Sequence, residues 1–240
     1  MKKILPILIV SVLSVQSTCD PQVMEDVLNT ALGGTITEAE AANGLKEALV
    51  QGATNGSDLL SKLDGYLGNP QVKIPFPPEA QKIESTLRDL GLNKMCDDVI
   101  NSLNRAAEDA AVEAKAILIN SIRQMTVTDA MNILFGANDA ATEYLKKTTT
   151  QALTDKFKPV IDKSLSEVNA TKYWDDAVNY YNAIPLVQDL NPDLSGYVTS
   201  KALDGLFYMI EQEELKIREN PGARVAEIVK KVFGYYDANK

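Results

Sequence analysis

The sequence predicts an all-α fold: a single helical-bundle-like domain of about seven to ten helices around a long central helix, with one extended Pro-rich strap. Three observations predict it. The stretch Asn93–Gln124 (NKMCDDVINSLNRAAEDAAVEAKAILINSIRQ) has neither proline nor glycine and would run about 48 Å as one helix. Elsewhere apolar residues recur at three- and four-residue spacing between capping and proline signals, with no strand-rich segment. Four prolines (Pro70, Pro75, Pro77, Pro78) fall within Asp64–Pro78, so that segment must be extended or turn-like and is read as a strap laid across helices.

The central stretch carries Cys96, Val99, Leu103, Ala106, Ala107 and Ala110 on one face, opposite Asp97, Asn101, Arg105 and Glu108. Val112, Ala116 and Ile119 then continue the polar face with apolar residues. The second half is therefore expected at the centre of the core.

In chain order, Thr37–Glu40 (TEAE) is a capping box that starts a helix weakened at Gly52 and Gly56. Pro78 suits the first turn of a helix that closes at Gly91. Thr126 or Thr128 caps a short helix, and Asn138 or Asp139 begins AATEYLKKTTT. Gln151–Val168 is expected to kink or break at Pro159. Thr171–Ala183 carries Tyr173, Trp174, Tyr180 and Tyr181. Asn191-Pro192 and Asn220-Pro221 each place a cap before a proline, and Gly234 is read as the end of the last helix. The domain thus spans 37–234, after a lead-in over 20–36 and before a frayed tail over 235–240.

The balance is acidic, 24 basic against 33 acidic residues, a net charge of −9. Residues 1–19 read as an export signal, with Lys2 and Lys3 before the apolar run Ile4–Val15. Its removal leaves 22 basic residues and a net charge of −11. Such a chain repels phosphate backbones, so nucleic acid is not an expected partner. Two exits from the leader are open: signal peptidase at Val15-Gln16-Ser17, or lipidation of Cys19. Gln16 and Thr18 depart from the usual lipoprotein pattern. The sites implied are the periplasm or, through Cys19, the outer membrane. Cys96, the only other cysteine, lies on the apolar stripe and is read as a small buried hydrophobe, so no structural disulfide is expected.

Several ordered stretches resemble domain-of-unknown-function family 4197: GLKEAL (Gly44–Leu49), DGYLGNPQVKIPFP (Asp64–Pro77), NRAAE (Asn104–Glu108) and DAMNIL-G (Asp129–Gly136). DAATEYL (Asp139–Leu145), the KF-P of Lys156 to Pro159 and YVTSKALDGLFYMIEQEE (Tyr197–Glu214) complete the likeness. The resemblance implies exported, all-helical proteins, often with signal or lipoprotein leaders. It implies no activity, cofactor or site residue.

The chain has no histidine, which removes the usual general base and the commonest zinc ligand. No Cys-x-x-Cys, P-loop or GxGxxG is present, and neither metal nor cofactor is expected. A serine nucleophile would need a lysine or carboxylate beside it, and no spacing points to one. Asp189, Asn191, Asp193 and Ser195 fail as a calcium loop at Leu194 and Ser200. The pairs Asp97/Asp98 and Asp175/Asp176 and the group Glu211/Glu213/Glu214 read as solvated helix faces. Arg105, Glu108 and Asn101 are the candidate ligand-binding residues. Arg105 has two readings, an anchor for an anionic or carbonyl-bearing ligand, or a structural arginine paired with Glu108 or another carboxylate and with carbonyls of the strap. If buried, its removal should cost about 3–5 kcal/mol. The function expected is that of an exported envelope protein, not an enzyme, that binds a protein partner or a hydrophobic small ligand. The alternatives are a carboxylate-dependent enzyme and a purely structural lipoprotein.

Overall fold

Thr37 opens the first described helix with both halves of a capping box: its hydroxyl accepts from the Glu40 N–H, and the Glu40 carboxylate accepts from the Thr37 N–H. The computed structural model describes residues 36–167, 170–183 and 193–238. These all belong to one unit, Ile36–Lys240. The leader, Cys19, most of the lead-in and the Asn191-Pro192 signal lie outside the described residues.

Among the described residues there are nine α-helices and no strand. They are α1 (Glu38–Leu60), α2 (Gln81–Asp89), α3 (Asn93–Ala111), α4 (Ala114–Gln124) and α5 (Val127–Leu134), then α6 (Ala140–Glu167), α7 (Ala170–Asn182), α8 (Leu194–Glu219) and α9 (Glu227–Ala238). Single 3-10 turns occupy Pro78–Ala80 and Pro221–Ala223. The strap follows α1 as a series of turns and becomes extended at 73–77. Gly91 ends α2 at φ +82, where the Leu92 N–H reaches back to the Leu87 carbonyl (2.9 Å). Only glycine adopts that conformation without strain.

α6 and α8 run antiparallel, since Lys158 meets Ser195 at one end and Ala141 and Thr142 meet Glu214 at the other. α3 packs against both, and α1 packs against α8, α9, α4 and α5. The core is continuous through Leu45, Leu60, Leu103, Leu118, Phe157, Leu206 and Val232.

Four expectations need correction. The central helix is two helices. At Val112 and Glu113 the ladder tightens, with the Glu113 N–H bonded to the Ala110 carbonyl at 3.0 Å, while the backbone stays in the right-handed region. The burial order is also reversed. α3 buries Asn104 and Glu108 on its polar face along with its apolar stripe, whereas α4 buries only Ala114, Leu118 and Ile122, and Val112 is 63% exposed. Second, Pro159 does not break the helix: α6 runs as one helix from Ala140 to Glu167 and joins the two segments read as separate. Pro159 and Asp155, whose carbonyl loses a donor, are both exposed residues, where the missing bond costs least. Third, α9 continues past Gly234, and Tyr236 in the expected tail is buried with its ring 6.0 Å from Phe135. Fourth, Glu213 and Glu214 are buried rather than solvated. Glu214 accepts from the N–H groups of Ala141 and Thr142, which have no partner inside α6. Arg218, paired with Glu214, donates to the last carbonyls of α5 at Ile133 and Leu134.

Candidate functional site

Arg105 and Glu108 meet, and Asn101 does not join them. Arg105 donates to Glu108 and to Asp64 Oδ1 (2.6 Å), while Asn101 is exposed and makes none of these bonds. Partial burial pulls the Arg105 pKa down, but the hydrogen bonds to Asp64 and Glu108 outweigh it and hold the guanidinium more firmly charged than usual. Asp64 has φ +64, an αL position that an aspartate tolerates better than most residues.

The strap's backbone is satisfied by α3, but through other residues than the sequence indicated. Glu108 Oε1 accepts from the N–H groups of Tyr66 (3.2 Å) and Leu67 (3.3 Å). Asn104, fully buried, brackets Ile74: its Oδ1 accepts from the Ile74 N–H and its Nδ2 donates to the Ile74 carbonyl, both at 2.8 Å. Asn104 stands in for the neighbouring strand that the strap lacks. From the other side α8 receives the Tyr66 hydroxyl on the Ala202 carbonyl (2.7 Å) and sends the Tyr197 hydroxyl to Pro75 and Phe76 carbonyls. Burial, reinforced by Glu108, pushes the Tyr66 phenol far up. Burial and Glu79 push Tyr197 up to about 12. A Cβ on Gly205 would stand 2.8 Å from the Tyr66 ring, so the strap can lie this close to α8 only over glycine. Trp174 packs beside Phe76 with ring centroids 5.8 Å apart and planes tilted by 47°; Trp174 and Tyr181 are buried, Tyr173 is half-buried and Tyr180 is exposed.

The room for a ligand lies elsewhere. A trough of about 570 Å³ runs between α6 and α8. Its α6 wall is the i, i+4 stripe Lys146, Thr150, Thr154 and Lys158, and its floor includes Leu203 and Phe207. Asp204, Tyr208 and Glu211 line the α8 wall. Asp204 and Tyr208 also border a cleft of about 410 Å³ between α8 and the strap. Thr150, Thr154 and Thr199 donate to carbonyls of their own helices. Their donors are thereby committed, and what remains for a ligand is methyl surface and acceptor lone pairs.

At one end of the trough the Ser195 hydroxyl donates to Asp162 and accepts from Lys158 Nζ (3.1 Å). Here the fold brings together a serine, a lysine and a carboxylate that sequence spacing could not, because Ser195 is separated from the others by the α6–α7–α8 connections. Lys158 and Asp162 are half-exposed. The network ties α6 to α8 through half-exposed side chains. Among the described residues no group of His, Cys, Asp and Glu is placed to hold a metal ion. Cys96 is buried, and its thiol reaches the Glu84 carbonyl (3.8 Å).

The fold and these features define an all-helical domain with a side-chain-anchored strap and a surface trough. The model of one protein family, described as "Protein of unknown function (DUF4197)", matches residues 35–234, and the chain belongs to that family. Neither the curated proteins nor the solved structures contain a match.

Proposed function

We propose that this protein is exported to the cell envelope, where it acts by binding a partner protein in the trough between α6 and α8. One observation carries the reading: the trough is a groove of about 570 Å³ with an apolar floor and charged walls, on the outer side of a helix pair whose other side is filled by α3. The core itself is packed, with Leu103, Leu118, Phe157 and Leu206 fully buried. Export rests on the leader over residues 1–19, and retention at a membrane on lipidation of Cys19. No helix among the described residues is long and apolar enough to cross a membrane.

Native mass spectrometry of the protein purified from its own host, beside a Thr154→Trp variant that fills the trough, tests the reading. A polypeptide adduct present on the wild type and lost from the variant is expected. A small apolar adduct with the same dependence would replace the partner reading with the hydrophobic-ligand one. A bare protein, or an adduct indifferent to Thr154→Trp, would overturn the assignment of the trough. The mature N-terminus read from the same spectra reports on the leader, and acylated Cys19 is the lipoprotein outcome.

A further inference from the structure

We infer that the occupant of the trough is an amphipathic α-helix of about three turns, with carboxylates on the flank that meets α6 and basic residues on the flank that meets α8. The inference rests on the binding reading above and specifies its partner. Lys146 to Lys158 is twelve residue steps along α6, about 18 Å at helical rise, or a little over three turns. The groove between two antiparallel helices is the natural seat of a third. On the inner side of this same pair α3 fills that seat, and on the outer side the seat is open.

The two walls differ in sign. α6 contributes Lys146 and Lys158, and α8 contributes Asp204 and Glu211. A single small ion would meet both signs at once, whereas a helix separates its flanks by its own width and can match each wall. Three of the four charges are paired within their own helix: Lys146 with Glu143, Lys158 with Asp162, and Asp204 with Lys201. All six side chains are 40% exposed or more, and such pairs contribute little, so they exchange readily for an incoming partner. Among the described residues Glu211 has no ion pair within the trough, although its charge helps to raise Lys146 after the larger effect of Glu143. Between the charges, Leu203, Phe207 and the threonine methyl groups receive the apolar stripe. This is the division of labour of a coiled-coil seam, with an apolar centre and charged flanks that set orientation.

The test uses two synthetic helical peptides of about fourteen residues and identical composition. Both carry an apolar stripe. In one, glutamates occupy one flank and lysines the other, and in its isomer both flanks are mixed. The segregated peptide should bind wild-type protein at least about tenfold more tightly, at roughly micromolar affinity for so small an interface. Lys146→Glu with Lys158→Glu should abolish that preference, and Glu211→Lys should weaken it. Lys158 is exposed and Lys146 and Glu211 are half-buried, and the circular dichroism spectra of the variants are expected to match that of the wild type. Equal binding of the two isomers, or a preference that survives the charge reversals, would overturn the inference. If neither peptide binds while Thr154→Trp still removes the host adduct, the helix inference fails and the binding reading stands. A concentration-dependent dimer disrupted by the same reversals would overturn it in favour of a second copy of this chain.

Discussion

Glu108 and Glu214 perform the same structural task in two parts of the molecule. Each is a nearly buried carboxylate on a long helix, each accepts two backbone N–H groups from a distant segment, and each is paired with an arginine on its own helix. They differ in the cation. The Arg218 side chain is 3% exposed and also caps the end of α5, whereas that of Arg105 is 29% exposed and shared with the half-exposed Asp64. An arginine near a glutamate on a helix does not by its sequence pattern set the strength of the pair. Water at the guanidinium does, because solvent screening replaces most of what a buried pair would lose.

The largest test of this contrast is Arg218→Ala. It strands the Glu214 charge and uncaps α5, and should cost about 3–5 kcal/mol in urea or thermal melts. A loss below about 1 kcal/mol would put water at Glu214 and erase the distinction between the two regions. Asn104→Ala comes next, at about 2–4 kcal/mol, because the Ile74 N–H and carbonyl would both be buried unpaired. Hydrogen exchange should localise that loss to the strap, and uniform loss across α6 and α8 would contradict the anchoring role.

Arg105→Ala should cost only about 1–2 kcal/mol, less than the burial expected from sequence implied, since solvent reaches the guanidinium and Glu108 keeps its two strap N–H groups. Arg105→Lys should fall between this variant and wild type. A cost as large as that of Arg218→Ala would mean that Arg105 carries the strap after all.

The smallest effect belongs to Glu40. The Thr37 backbone bond, then Lys231, lower its pKa from 4.5 to about 2. A depressed folded-state pKa contributes stability above the unfolded value, and that contribution is lost as pH falls from about 4.5 to 2. The melting-temperature gap between wild type and Glu40→Gln should therefore narrow over that window. A gap independent of pH would show that the capping box does not depend on the charge.

Much of the fold was legible. The capping box at Thr37, the glycine stop at Gly91 and the strap each rest on local chemistry that operates within a few residues, and of the two caps left open the structure uses Thr126, as a capping box with Asp129. The site was legible in part. NRAAE marks the helix turn that holds the strap, where Arg105 and Glu108 stand out by their charge while the neutral Asn104 makes the closest bonds to the strap's backbone. One signal was available: a proline-rich strap without strand neighbours must find side-chain acceptors and donors, and Asn104 and Glu108 share one helix face.

Sequence alone determined that the chain is helical and where capped helices such as the one at Thr37 start, because caps and glycines act through bonds no longer than one helical turn. It did not determine the break at Val112–Glu113 or the continuity of α6 through Pro159. Tertiary structure decided which faces are buried. Glu108 and Glu214 are inside because backbone groups elsewhere need acceptors, and Val112, at the α3–α4 junction, is 63% exposed. It also decided the trough. Its walls come from segments about forty residues apart, and whether a groove between two helices is filled depends on a third element, which neither helix encodes.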